Sequence, residues 1–589
     1  MKAKAAGSAL AVALVSSLGA QAADLPVKAP PIPAVYNWTG GYLGVHVGAG
    51  FGGARFSDPL GPSIFGDHVR TPAFLGGGQI GYNWQAPGSQ WVVGVEGDVS
   101  GLDSVGTNTC LAFSGFFFSA NCRVRPDATA TLTGRVGFAA GPEGHTLFYA
   151  KGGLAWVRDS IDITTNGILG GAIFPGFVQE TSASLSKWGG TVGVGVEQAL
   201  TPAWSMKLEY DYLGFGGRNV ATPQGLLQAA PGSLLLFLTP GGFTSVSQNI
   251  QEVKIGVNYR FGADPTVRWP LAAPAYPVQG LYKAPPPVVA ASGWEVEVGP
   301  RYWYSSGRFQ KDLGGFTTAA NANLLVSRLT YDTTANSGEL FGRVETPWNF
   351  FLKGFVGGGS IASGHMNDED WGLIFFPPPV GVAYSNTLSD PVKGGITYGT
   401  IDGGYDFFRD PWSKLGVFIG YNYYKENKDA FGCVQIANAL SDCVPAVPST
   451  VLGITENDKW QSLRLGVAGE IMVAPGLKLS GDVAYLPYVK FSGLDIHWER
   501  FDVANQLSPE TGKGRGVQLE GILSYAVTPN FNVGIGGRYW AMWTNDDAFT
   551  NMFSTPCPCQ TLPSKTQRAG VFLQGSYKFG QPGVVVAKY

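Results

Sequence analysis

Residues 37 to 53 read NWTGGYLGVHVGAGFGG, and from Leu43 to Phe51 an apolar side chain recurs at every second position. A period of two is that of a strand, whose successive side chains point to opposite faces. The same rhythm returns in stretches such as QWVVGVEGDVSGLDS (90–104), SKWGGTVGVGVEQAL (186–200) and NIQEVKIGVNYRFG (249–262), and eight such segments are counted before Phe261. Tight connectors, APGS at 86–89, GPEGHT at 141–146 and LTPAW at 200–204, alternate with much longer loops. A closed transmembrane barrel requires that asymmetry, with short turns on one side and long loops on the other. No segment after the N-terminal one is apolar for the ~20 residues that a membrane-crossing helix needs. Charged residues make up only 14% of the chain.

The beginning of the chain fits the same destination. Lys2 and Lys4 precede an apolar run from Ala5 to Gly19, and Ala20 to Ala22 read AQA, so residues 1–22 are expected to be an export signal cleaved before Ala23. A Pro-rich mature N-terminus follows over 23–36, and the eight-stranded unit over 37–262. Residues 263–292 carry too many prolines for a sheet interior and read as a periplasmic linker. Ten further strand segments lie within 293–580, leaving a tail at 581–589. LPVKAPPIP before the first unit is echoed by LYKAPPPVV before the second, and the closing NYRF by SYKF. The expected fold class is therefore all-β: two tandem antiparallel transmembrane β-barrels of eight and ten strands joined by a Pro-rich linker. A single eighteen-strand pore is the competing architecture.

Cysteine usage agrees with an oxidising surface. Cys110 with Cys122, Cys433 with Cys443, and Cys557 with Cys559 fall in three expected loops and none in a strand; the pairing of the six is left open by the sequence. A net charge of −3 with no basic, aromatic-interleaved patch excludes nucleic acid as a partner. His46, His68 and His145 stand alone, without metal-ligand spacing, and no metal or cofactor is expected.

Two short motifs in the second unit carry chemistry. SGHMNDEDWG (363–372) places Asp368 and Asp370 two apart where a strand gives way to a loop, with His365 as a polar loop residue, and FSGLDIHWER (491–500) places Asp495 and His497 two apart at the top of the seventh strand. In extended chain, residues i and i+2 share a face, so each pair can present both side chains to one space. Such a set can hold and deprotonate a water: the histidine accepts the proton, one aspartate orients its ring and two position the water. One difficulty is phase. Asp495 and His497 continue the outward, apolar phase of Leu477, Leu479, Val483, Tyr485, Val489 and Phe491, so a bulge near Pro487 or Gly493 is expected to reset the register.

From Ala23 to Gly262, on ADLPVKAPP, YNWTGGYLGVHVGAGFGG and EVKIGVNYRFG, the chain resembles the porin-like, Opa-type surface antigens of Gram-negative outer membranes. From Trp294 to Gly580, on the two acidic motifs, LLVSRLTYD (324–332) and YAVTPNFNV (525–533), it resembles the omptins, outer-membrane endoproteases with an active site in the barrel mouth. That resemblance implies hydrolysis of exposed peptides or proteins dependent on lipopolysaccharide, with Asp368 and Asp370 as the water-binding pair and Asp495 and His497 as the dyad. It also implies outer-membrane lipid and the barrel-assembly machinery as partners, with loops extracellular and termini periplasmic. Where omptins carry acidic substrate-pocket residues this chain has Gly307 and Gly493, which removes support for cleavage between basic residues. The alternatives are a non-catalytic structural or adhesive surface protein and a solute porin.

Overall fold

The computed structural model describes residues 36–262 and 293–579, except 58–64, 112–119, 142, 166–167, 170–171, 174–178, 229–235, 315–324, 372–373, 376–379, 382–383, 438–442, 500–506, 546 and 551–559. The expected export signal, the linker at 263–292, the tail at 581–589, and Cys557 and Cys559 lie outside the described residues.

Eight long strands make the first sheet: β1 (Gly40–Phe56), β2 (Ala73–Gln85), β3 (Trp91–Ser104), β4 (Ala120–Ala140), β5 (Thr146–Thr165), β6 (Glu180–Ala199), β7 (Trp204–Thr222) and β8 (Gly242–Arg260). Each pairs antiparallel with the next, and β8 returns to β1 in an unbroken register from Tyr42 opposite Arg260 to Phe56 opposite Val246. Ten more make the second: β9 (Glu295–Gly314), β10 (Leu325–Glu345), β11 (Phe350–Trp371), β12 (Val392–Arg409), β13 (Ser413–Ala437), β14 (Val447–Ala474), β15 (Leu477–His497), β16 (Leu507–Ala526), β17 (Phe531–Thr544) and β18 (Ser564–Phe579). This ring closes between β18 and β9. Two tandem antiparallel barrels, not one eighteen-strand pore, are formed.

Alternation explains their outer surface. In the first barrel Leu43, Val45, Ile80, Val95, Leu132 and Val192 are all more than half exposed, as are Leu340, Val356, Ile419, Val571 and Leu573 in the second. Apolar bands of this extent suit a hydrocarbon solvent. Trp84, Trp91, Trp204, Trp294 and Trp348 stand exposed near the short-turn ends, where an aromatic girdle meets the lipid headgroups.

Strands of 13 to 28 residues exceed the ~10 that cross a bilayer, so the sheets continue well above it. This corrects two sequence expectations. The stretch from Ser363 runs on as β11 through Trp371 instead of entering a loop, carrying His365 with it. Cys122 lies in β4, Cys433 in β13 and Cys110 in the added strand Gly106–Cys110, so these cysteines are in strands. They form Cys110–Cys122 and Cys433–Cys443 disulfides.

The first lumen is filled by charge. Lys151 reaches Glu96, Asp98, Glu209 and Asp211, and Lys254 reaches Asp98, Glu209, Asp211 and Glu252, all but fully buried. Buried ions persist when each is paired in this way, and eight strands leave an interior that side chains just fill. His46 belongs to that filling, its Nδ1 2.7 Å from Gln79 and its Nε2 2.8 Å from Ser100.

The barrels lie side by side in the same orientation. Near the short-turn ends Val196, Leu200 and Met206 pack with Leu415 and Ile471. Midway, Ala49 packs with Val517, Tyr539 and Ala541. Above, Tyr485 donates to Asp103 at 3.2 Å and Arg515 pairs with the same carboxylate at 3.3 Å.

Candidate functional site in the mouth of the second barrel

The second lumen is layered. Its lower part is lined by Arg301, Arg343, Lys353, Asp402, Arg464, Glu470 and Asp482, among others, around a cavity of about 100 Å³. Above it Trp303, Tyr398, Trp540 and Phe572 join a continuous buried cluster with Phe309, Trp460, Leu486, Val489, Phe491 and Met542. Phe355 stacks on Trp540 with centroids 6.2 Å apart, and the Arg538 guanidinium lies over both rings. The mouth sits on top of this aromatic floor.

A bulge delivers β15 into that mouth. Between Leu486 and Val489 the strand carries one residue more than β16 opposite it, and the register with β14 shifts at the same place. Below Pro487 the inward residues are Lys478, Ser480 and Asp482; above it they are Val489, Phe491, Gly493, Asp495 and His497. The outward phase that the sequence assigned to Val489 and Phe491 is thereby corrected: they are apolar because the lumen floor is apolar. Asp495 and His497 consequently face the interior, both nearly fully buried, with His497 Nε2 2.9 Å from Asp495 Oδ2.

Lys311 from β9 had no signal in a local motif, although it continues the inward phase of Trp303, Ser305, Gly307 and Phe309. Its ammonium lies 2.5 Å from Glu456, 2.8 Å from Asp495 and 2.8 Å from Glu510. Glu456 stands opposite Asp495 on β14, and Glu510 stands opposite Gly493 on β16. Like charges facing across a sheet repel, and the lysine offsets this. Burial would raise Asp495, but the His497 and Lys311 charges hold its carboxyl below the usual aspartate range. Burial and Glu510 push Glu456 well up despite Lys311, and burial also raises Glu510. Among the described residues these three carboxylates are close enough to share a cation, and Lys311 already sits on all of them.

Asp368 and Asp370 share the inward phase of Met366 on β11 and are half-buried. Ser327 donates to Asp368 at 3.5 Å, and both Asp368 and Asp495 act electrostatically on Tyr331 in the mouth. His365, by contrast, is exposed on the outer face, 3.9 Å from Asp332. Both glycines at the expected pocket positions line the lumen. A Cβ at Gly307 would meet Arg568 at 2.4 Å, and one at Gly493 would meet Glu510 at 2.5 Å. Arg568 is engaged by Ser305, Thr333, Tyr424 and Glu426.

Comparison with known proteins bears mainly on the first barrel. Residues 9–261 match the outer membrane protein beta-barrel domain. This is a bacterial outer-membrane β-barrel protein. Over 265 residues it is 29% identical to the 31 kDa outer-membrane immunogenic protein of Brucella melitensis biotype 1, covering 42% of this chain and 97% of that one. With the 25 kDa outer-membrane immunogenic protein of Brucella abortus biovar 1 it shares 25% identity over 261 residues, 43% of this chain and 95% of the relative. Among solved structures it is similar to the outer membrane protease OmpT from Escherichia coli, at 15% identity and a TM-score of 0.41, over 50% of this chain and 99% of that one.

Proposed function

We propose that the mouth of the second barrel hydrolyses exposed peptides through a water activated by His497. The observation that carries this reading is the turn at Pro487, which brings Asp495 and His497 inward as a hydrogen-bonded pair on the same lumen as Asp368 and Asp370. Asp495 orients the imidazole, His497 takes the proton of the attacking water, and Asp368 and Asp370 hold that water. The imidazole and the ammonium of Lys311 both contact Asp495 Oδ2. With Glu510 beside Gly493 but Arg568 over Gly307, the scissile bond is not one flanked by two basic residues.

The test is cleavage of a mixed peptide library by the full chain refolded with lipopolysaccharide. Wild type cuts, while His497→Ala and Asp368→Ala lose ~10²- to 10⁴-fold in rate, the usual contribution of a general base. Equal silence in all three defeats the reading. A second reading, a non-catalytic surface barrel, is favoured by one observation: Lys311 already occupies the carboxylate that the dyad needs.

A further inference from the structure

We propose that the first barrel is a built-in positioning domain for the mouth of the second, acting through the disulfide-stapled hairpin above β3 and β4. This rests on the peptide-hydrolysis reading only for its effect on activity. The strand Gly106–Cys110 pairs with Ala120–Val124 at the start of β4, and Cys110–Cys122 ties the two together. The outward face of that hairpin meets the outer surface of β9, β10 and β11, above the bilayer.

Arg328 is the centre of the contact and is fully buried. It donates through Nε to Asp312 at 2.7 Å, through Nη1 to Thr109 at 2.8 Å, and through Nη2 to Asn121 at 2.7 Å and Asp312 at 2.9 Å. Thr109 in turn donates to Glu369 at 2.8 Å, whose other oxygen accepts from Tyr384 at 2.7 Å. Thr107 donates to Asp312 at 3.1 Å and accepts from Gln310 and Lys565. Two of the four hydrogen bonds of this buried guanidinium thus go to side chains of the first barrel.

The backbones at this contact are those that hold the mouth. Asp312 adjoins Lys311; Glu369 lies between Asp368 and Asp370; Arg328, opposite Glu369, adjoins Leu329, opposite Asp368. Neighbours in a strand project to opposite faces, so the hairpin grips the outside of the residues whose inside lines the site. Freed of it, β9 to β11 would keep their barrel register and Arg328 its pair with Asp312, but Arg328, Asp312 and Glu369 would each lose a buried hydrogen-bond partner at the strand tops. Thr109 and Asn121 are therefore positioning residues.

The experiment compares hydrogen–deuterium exchange across 308–314, 326–332 and 366–371 in the refolded full chain, with cleavage kinetics measured in parallel. Thr109→Val with Asn121→Leu, and separately Cys110→Ser with Cys122→Ser, should speed exchange in those segments at least tenfold and lower kcat more than they change KM. Thr109→Ser, which keeps the hydroxyl, should match wild type. Cys433→Ser with Cys443→Ser, a staple on β13, should leave the three segments protected. Unchanged exchange in a variant that still migrates as a folded barrel overturns the proposal. Because exchange is read without substrate, a wild type that cleaves nothing defeats the catalytic reading and leaves this test decisive.

Discussion

Lys311 is the residue on which the mouth's electrostatics turn. Replacing it by Met leaves Glu456, Asp495 and Glu510 facing one another without a cation, and breaking a buried ion pair on one side costs about 3–5 kcal/mol. The loss should depend on pH. Glu456 and Glu510 have folded pKa values above their unfolded ones, so their contribution to stability is greatest below the unfolded value and falls as pH rises through the folded one. Urea unfolding of Lys311→Met in micelles should accordingly show a larger deficit against wild type at pH 8 than at pH 5; equal deficits would mean the carboxylates do not sense one another. Asp368, Asp370, Asp495 and His497 were legible in the sequence because each pair is local. Lys311, Glu456 and Glu510 were not, since the two glutamates come from the strands flanking β15 and the lysine from β9, far away in the chain, and only phase counting on each strand could have nominated them.

At the level of the strand, one extra residue at Pro487 decides which way the dyad points. Side chains alternate with a period of two, so removing that residue moves every side chain above it to the other face. Deleting Pro487 should turn Asp495 and His497 outward and abolish cleavage while the barrel below still closes, as read by heat-modifiable migration on a gel. Retained cleavage would exclude the dyad. Strand number was legible because a lipid-facing phase marks each crossing. The tops were not: above the bilayer the outward face is polar, as at Arg308, Gln310 and Asp312, and the alternation that announces a strand disappears. That is why Cys110, Cys122 and Cys433 read as loop residues.

For the molecule as a whole, the aromatic floor argues against a solute pore. Trp303, Phe355, Tyr398 and Trp540 crowd the lumen at centroid distances of 5.0–6.2 Å, with Arg538 held against them. Liposomes carrying the protein should not swell in small sugars, and Trp303→Gly with Trp540→Gly should make them do so; swelling with wild type would reinstate conduction. The side-by-side seam was hidden from the sequence because Arg328 and Glu369 look like ordinary solvated positions on an outward face.

The seam has a further meaning when the connection between its halves is considered. Two separate barrels would have to find each other by diffusion in the membrane plane, and a contact of a few hydrogen bonds and scattered apolar patches would hold only a fraction of them together. Joined by roughly thirty residues, they meet at an effective concentration on the order of millimolar, whatever their abundance in the cell. A weak contact then becomes a permanent one. Fusion also sets the stoichiometry at one to one and delivers both halves to the surface in a single export event, so no copy of the second mouth need ever stand without its neighbour.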